Sequence, residues 1–137
     1  PLSGMENEEA FQRFRNTGDA SDELTYVRFV IENDMDYTEK EKWKFEQLIL
    51  DTADCIRTIF ESRGKCYRLN DREFMVVLKY IKSVQVQECL TNVEAVIQNK
   101  NRHRREPIRI RYAFAQMPQE CDEEIELYDL VEERVHI

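Results

Sequence analysis

The chain has 137 residues, enough for one sizeable core, and is 42% hydrophobic and 35% charged. A formal net charge of −8 argues against nucleic acid as a general partner, because neutralising phosphates needs clustered cations. No apolar run reaches the ~18 residues of a membrane-spanning helix, and no signal peptide is visible.

In chain order, residues 6–15 read as a first helix and 18–22 as a loop. Leu24 to Ile31 is nearly continuous in apolar and β-branched or aromatic residues, as a central strand buried on both faces would be. Thr38 and Glu41 have the spacing of a capping box. Trp43, Phe45, Leu48, Ile49, Ala53, Ile56, Ile59 and Phe60 then recur at helical spacing, to about Arg63. Trp43, Phe45 and Phe60 read as core, and the length of the segment leaves room for two helices. A hairpin follows, with strands at 65–69 and 74–80 and a polar tip at 70–72. Residues 84–98 form another helix with Leu90, Val93, Val96 and Ile97 inward, Pro107 introduces a strand to Ala115, and 123–135 closes as a helix. This order implies an α/β (α+β) sandwich in which helices flank a central, mainly antiparallel sheet with a ferredoxin-like core.

Charge is unevenly spread. Lys100, Arg102, Arg104, Arg105, Arg109 and Arg111 crowd one stretch, while 120–133 is almost wholly acidic. A solvated face is the default reading of such runs; the alternative is a patch for an anion or an acidic partner at Lys100, Arg102, Arg104 and Arg105. Cys55, Cys66, Cys89 and Cys121 show no C-x-x-C spacing, and His103 and His136 are the only imidazoles. No zinc site is expected, and the thiols read as reduced, with Cys55 and Cys89 as small apolar residues on helices.

The hairpin carries the most specific signal. Tyr67-Arg68-Leu69 leads into Asn70-Asp71-Arg72-Glu73-Phe74 and the apolar run Met75-Val76-Val77-Leu78. This resembles the signature hairpin of the GGDEF domain, the diguanylate cyclase fold of bacterial second-messenger signalling. Asn70 and Asp71 replace the two glycines, Arg72 replaces the acid that follows them, and Glu73 and Phe74 match. Residues 1–11 are similar to the family's opening D-x-L-T-G-L-x-N-R-x-x-F, without its leading Asp and with Glu8 at the Arg position. Residues 110–115 fall where members have V-S-I-G-x-A, and 126–136 resembles the closing helix, with Glu132 for Asp and His136 for Tyr. Four matches in order and spacing cover nearly the whole chain, which reads as one degenerate GGDEF-like domain, 1–137, excised from a longer signalling protein. The resemblance implies a nucleotidyl-cyclase palm-like sheet.

It also implies a chemistry, the condensation of two GTP molecules, one on each domain of a homodimer, into cyclic di-GMP with the help of Mg²⁺. In active members the turn glycines let the backbone approach the nucleotide, and the next acid, with an Asp at the end of the first strand, holds the metal. Here Arg72 puts a fixed cation at that acid's position. Unit charges 4 Å apart interact by about 4 kcal/mol at an effective dielectric near 20, and a divalent ion roughly doubles a repulsion that here opposes binding. The first-strand acid is Glu32 in one register and Asp34 in another. Neither the F-K pair nor the N-D and G-H that normally follow have counterparts in 37–44, and the inhibitory R-x-x-D site, which would fall on 61–64, is absent. Glu73 reads as structural and Arg72 as an exposed turn residue.

The expectation is therefore a catalytically inactive regulatory or protein-interaction module in cyclic-di-GMP-type signalling. It should need no cofactor or metal and make no direct membrane contact, and it should be cytoplasmic within a parent that can itself be membrane-anchored. Its partners would be another protein, other domains of the parent, or a second copy. A non-catalytic GTP sensor, with Glu32, Asp34, Arg72 and Glu73 as vestigial nucleotide-site residues, is the alternative, and an active cyclase comes third.

Overall fold

The computed structural model describes residues 3–17 and 23–137, so the expected loop at 18–22 lies outside the described residues. Among the described residues four α-helices and four strands follow in the order α1 (Glu8–Asn16), β1 (Leu24–Ile31), α2 (Lys42–Phe60), β2 (Lys65–Arg68), β3 (Glu73–Lys79), α3 (Ser83–Asn101), β4 (Ile110–Met117) and α4 (Glu124–Val135). The sheet order is β2-β3-β1-β4, with every neighbouring pair antiparallel. From β1 to β4 this is the ferredoxin-like β-α-β-β-α-β arrangement, an α/β sandwich as the element order implies.

The layers follow from strand periodicity. Val27, Phe29 and Ile31 of β1, with Phe74, Val76 and Leu78 of β3, pack under α2 and α3 against Leu48, Ile49, Ile56, Phe60, Leu90 and Val93. Leu24, Tyr26, Met75 and Val77 face the other way, onto Phe11 of α1 and Leu127 and Val131 of α4. All eight residues of β1 are buried, because helices cover both faces of the strand.

The long helical segment is one α-helix that ends at Phe60. Its start is a short 3₁₀ turn over Glu39–Glu41, capped by the expected Thr38–Glu41 box. Phe60 is buried and Phe45 packs at the core's margin, but Trp43 is 63% exposed and is not a core residue. The core stripe of α2 runs through Leu48, Ile49, Thr52, Ala53, Ile56 and Phe60. Trp43, Gln47 and Asp51 lie on a separate i, i+4 stripe.

The exit from α2 depends on one glycine. The Gly64 N–H donates to the Phe60 carbonyl (3.1 Å), and the chain then enters β2 so close to β3 that a Cβ here would sit 2.2 Å from the Val77 carbonyl oxygen. That neighbour is backbone and cannot rotate away. Gly64→Ala is expected to lower stability by about 1–3 kcal/mol in urea denaturation. A near-neutral result would show that β2 slides freely at this edge.

Candidate functional site

The hairpin tip closes without glycine because side chains take over its turn chemistry. Asn70 Oδ1 accepts the Arg72 N–H (2.9 Å), Arg68 Nε donates to the Asn70 carbonyl (3.1 Å), and Arg68 Nη2 reaches Asp71 Oδ1 (2.9 Å). Below the tip, the Leu69 N–H donates to the Glu73 carbonyl (2.9 Å). Asn70 and Asp71 are themselves exposed.

Arg72 departs from the exposed turn residue the sequence suggests. It is half-buried, and its Nη1 donates to the carbonyls of Ile31 (2.8 Å) and Asn33 (2.9 Å), where β1 ends. Its own carbonyl accepts the Ile31 N–H (2.9 Å), so backbone and side chain both tie the tip to that strand end. The carbonyls are partly shielded, and a guanidinium fork is the donor best able to satisfy two of them at once. Turn propensity carries no information about these partners, which come from another strand.

Asn33 anchors the same region from inside. It is 1% exposed, its Oδ1 accepts the Arg109 N–H (2.7 Å), and its Nδ2 donates to the Pro107 carbonyl (2.8 Å) and Glu106 Oε1 (3.2 Å). Both Glu106 oxygens also accept from the Tyr37 hydroxyl at 3.0 Å. Burial, reinforced by that bond, pushes the Tyr37 hydroxyl up to about 12. The strand end is thus a closed hydrogen-bond network from Arg72 through Asn33 to Glu106 and Tyr37.

Glu73 points to the opposite face of the sheet, where its Oε1 accepts from Arg28 Nε and Nη2, both at 2.9 Å. Asn70 Nδ2 donates to the other oxygen (3.2 Å), and His136 Nε2 lies 3.5 Å from Oε1. Burial disfavours the carboxylate, but the Asn70 bond and the Arg28 charge outweigh it and hold Glu73 below the usual carboxylate range. Arg28 is 4% exposed, its Nη1 has no hydrogen-bond partner among the described residues, and its guanidinium carbon lies 5.5 Å from the Tyr128 ring centroid. An arginine inside an otherwise apolar central strand is the signal in the sequence that could have announced this pair.

A magnesium ion needs carboxylates that converge. Glu32 is exposed and 3.9 Å from Arg111, Asp34 is exposed and accepts the Asp36 N–H (3.0 Å), and Glu73 is committed to Arg28. No group of three metal-ligating side chains occurs among the described residues, and the Arg72 guanidinium lies against the carbonyls at the strand end. These residues do not fit the metal that the resemblance implies.

The basic stretch is divided. Arg102 and Arg105 are exposed and Lys100 is half-buried, but Arg104 turns inward to Asp51 of α2 (2.5 Å), with side-chain exposures of 12% and 11%. Arg104 Nε also donates to the Glu106 carbonyl (3.0 Å). Arg104 therefore drops out of the surface patch and fixes its loop.

No protein-family model and no curated protein matches the chain. Solved structures do. The FimX GGDEF domain from Pseudomonas aeruginosa aligns over 99% of this chain and 90% of its own, with a TM-score of 0.75 and 13% identity. The GGDEF domain of DgcB from Caulobacter crescentus, solved in complex with c-di-GMP, aligns over 99% and 84%, with a TM-score of 0.72 and 16% identity. The diguanylate cyclase SiaD from Pseudomonas aeruginosa, solved in complex with its activator SiaC, aligns over 98% and 55%, with a TM-score of 0.71 and 11% identity. The chain has the fold of GGDEF domains.

Proposed function

We propose that this GGDEF-fold chain is a catalytically silent regulatory or protein-interaction module of a cytoplasmic, cyclic-di-GMP-type bacterial signalling protein. One observation carries the reading. The Arg72 guanidinium bonds the Ile31 and Asn33 carbonyls at the end of β1, the place where the resemblance puts the metal and its acid. A cation built into the chain opposes a second one there, and the exposed Glu32 and Asp34 do not converge with Glu73 to offset it. Glu73, the one acid that matches the signature, is held by Arg28 on the other face of the sheet. A role in contacting another protein or domain has a parallel in SiaD, solved with an activator protein.

Purified protein incubated with GTP and Mg²⁺ or Mn²⁺ is expected to give no cyclic di-GMP above the level of a heat-denatured control, read by chromatography. Asn70→Gly, Asp71→Gly and Arg72→Asp together are expected to leave catalysis absent, since 37–44 also lacks the base- and phosphate-holding residues. Product from the unmodified chain would overturn the proposal. Thermal stabilisation by GTP without turnover would replace it with a guanine-nucleotide sensor.

A further inference from the structure

A groove of about 670 Å³ opens between the start of α2 and the loop after α3, with no hairpin residue in its lining. Its size falls within the ~300–1,000 Å³ of small-molecule sites. Trp43 and Lys44 of α2 line one side, His103 and Arg105 the other, with the Asp51–Arg104 pair between them.

The chemistry of the lining is selective. Asp51 is neutralised by Arg104, whereas Glu106 at the groove's edge keeps its charge while accepting from Tyr37 and Asn33, so the anionic end of a ligand is expected on the His103–Arg105 side. Lys44 is engaged with Glu41 (3.0 Å). The side chains of Arg105 and His103, both exposed, have no hydrogen bond or ion pair among the described residues; the His103 backbone N–H donates to the Lys100 carbonyl (3.0 Å). The two side chains are solvated donors without a protein partner in a chain whose net charge is −8. Beside them the only tryptophan of the chain leaves 63% of its surface to water. An indole face takes a flat ring, and a guanidinium fork takes a carboxylate or phosphate.

We infer that this groove binds a small planar aromatic anion, its ring stacked on the Trp43 indole and its anionic group held by Arg105 with His103. The inference goes beyond the regulatory reading and stands without it, because the groove uses none of the hairpin residues.

Trp43 fluorescence reads the groove directly, since no other tryptophan contributes. The whole chain is titrated with adenosine 5′-monophosphate (ring plus phosphate) and nicotinate (ring plus carboxylate), with adenosine and inorganic phosphate as half-ligands. A saturable change below about 1 mM with either full probe is expected, with both half-ligands at least about tenfold weaker. Which probe saturates tells phosphate from carboxylate as the anion. Arg105→Ala should weaken binding by about tenfold with an unchanged melting temperature, since its side chain holds nothing in place, and Arg105→Lys should recover part of the loss. Failure of both probes to saturate would overturn the inference, as would saturation that Arg105→Ala leaves untouched. Cyclic di-GMP assays do not read this groove, so failure here and failure of the regulatory reading are distinguishable.

Discussion

Replacing Glu73 by alanine is expected to lower the unfolding free energy by about 3–5 kcal/mol, the usual penalty for stranding one member of a buried ion pair. Arg28 sits on the central strand with a side chain 5% exposed, and Glu73 accepts both of its bonded nitrogens. Without the carboxylate, the guanidinium keeps its charge and loses its partner, with the Tyr128 ring as its remaining contact on that face. Urea denaturation of both proteins measures the difference, and a loss below about 1 kcal/mol would mean that water reaches Arg28.

The same pair sets an acid limb. Glu73 is held below the usual carboxylate range in the folded state, so its contribution is complete above the unfolded value of ~4.3 and is lost as pH falls through the depressed folded value. Glu73→Gln should therefore be less stable at neutral pH yet lose stability less steeply on acidification. The one signature acid thus has a structural partner in the sheet.

Asp51→Ala is the second large effect, at about 3 kcal/mol, because Arg104 would be left as an unpaired and largely buried cation. Arg104 also bonds the Glu106 carbonyl, so the damage should spread through the loop that leads into β4. Hydrogen exchange at the Ile108 amide, which donates to Asn101 Oδ1 (2.8 Å), is expected to accelerate by more than global destabilisation explains. The double replacement Asp51→Leu with Arg104→Met should recover much of the loss, since apolar residues of similar volume need no counter-ion. Unchanged exchange at Ile108 in Asp51→Ala would show that Asn101 alone holds the loop.

Local patterns made most of the fold legible. Eight nearly unbroken apolar positions gave β1 with its observed ends, and the polar tip between two β-rich runs gave the hairpin. What the sequence did not disclose depends on partners far away in the chain. Arg72 looks like a turn residue until the end of β1 is placed beside it, and Arg104 looks like one more surface cation until α2 brings Asp51 to it. Trp43 fits the helical spacing of an apolar residue, yet it lies on the stripe of Gln47 and Asp51, whose polarity was the better guide. Glu73 read as structural from its place beside a tight turn. Its bonds, however, come from the side chains of Arg28 and Asn70 and not from backbone amides, a distinction that spacing cannot make.

The position of β1 also shapes how the chain must fold. Leu24 pairs with Lys79 on one side and Met117 on the other, so neither neighbour of the most apolar strand is close to it in sequence. Loop-closure entropy has to be overcome twice before that strand is enclosed, which sets the domain, like other mixed α/β folds, behind helical bundles in folding speed. On a ribosome β1 emerges before either of its neighbours and waits for β3 and then β4, with eight residues destined for burial still uncovered. Nascent chains halted before β4 should accordingly depend on chaperones, whereas those extended past α4 should not.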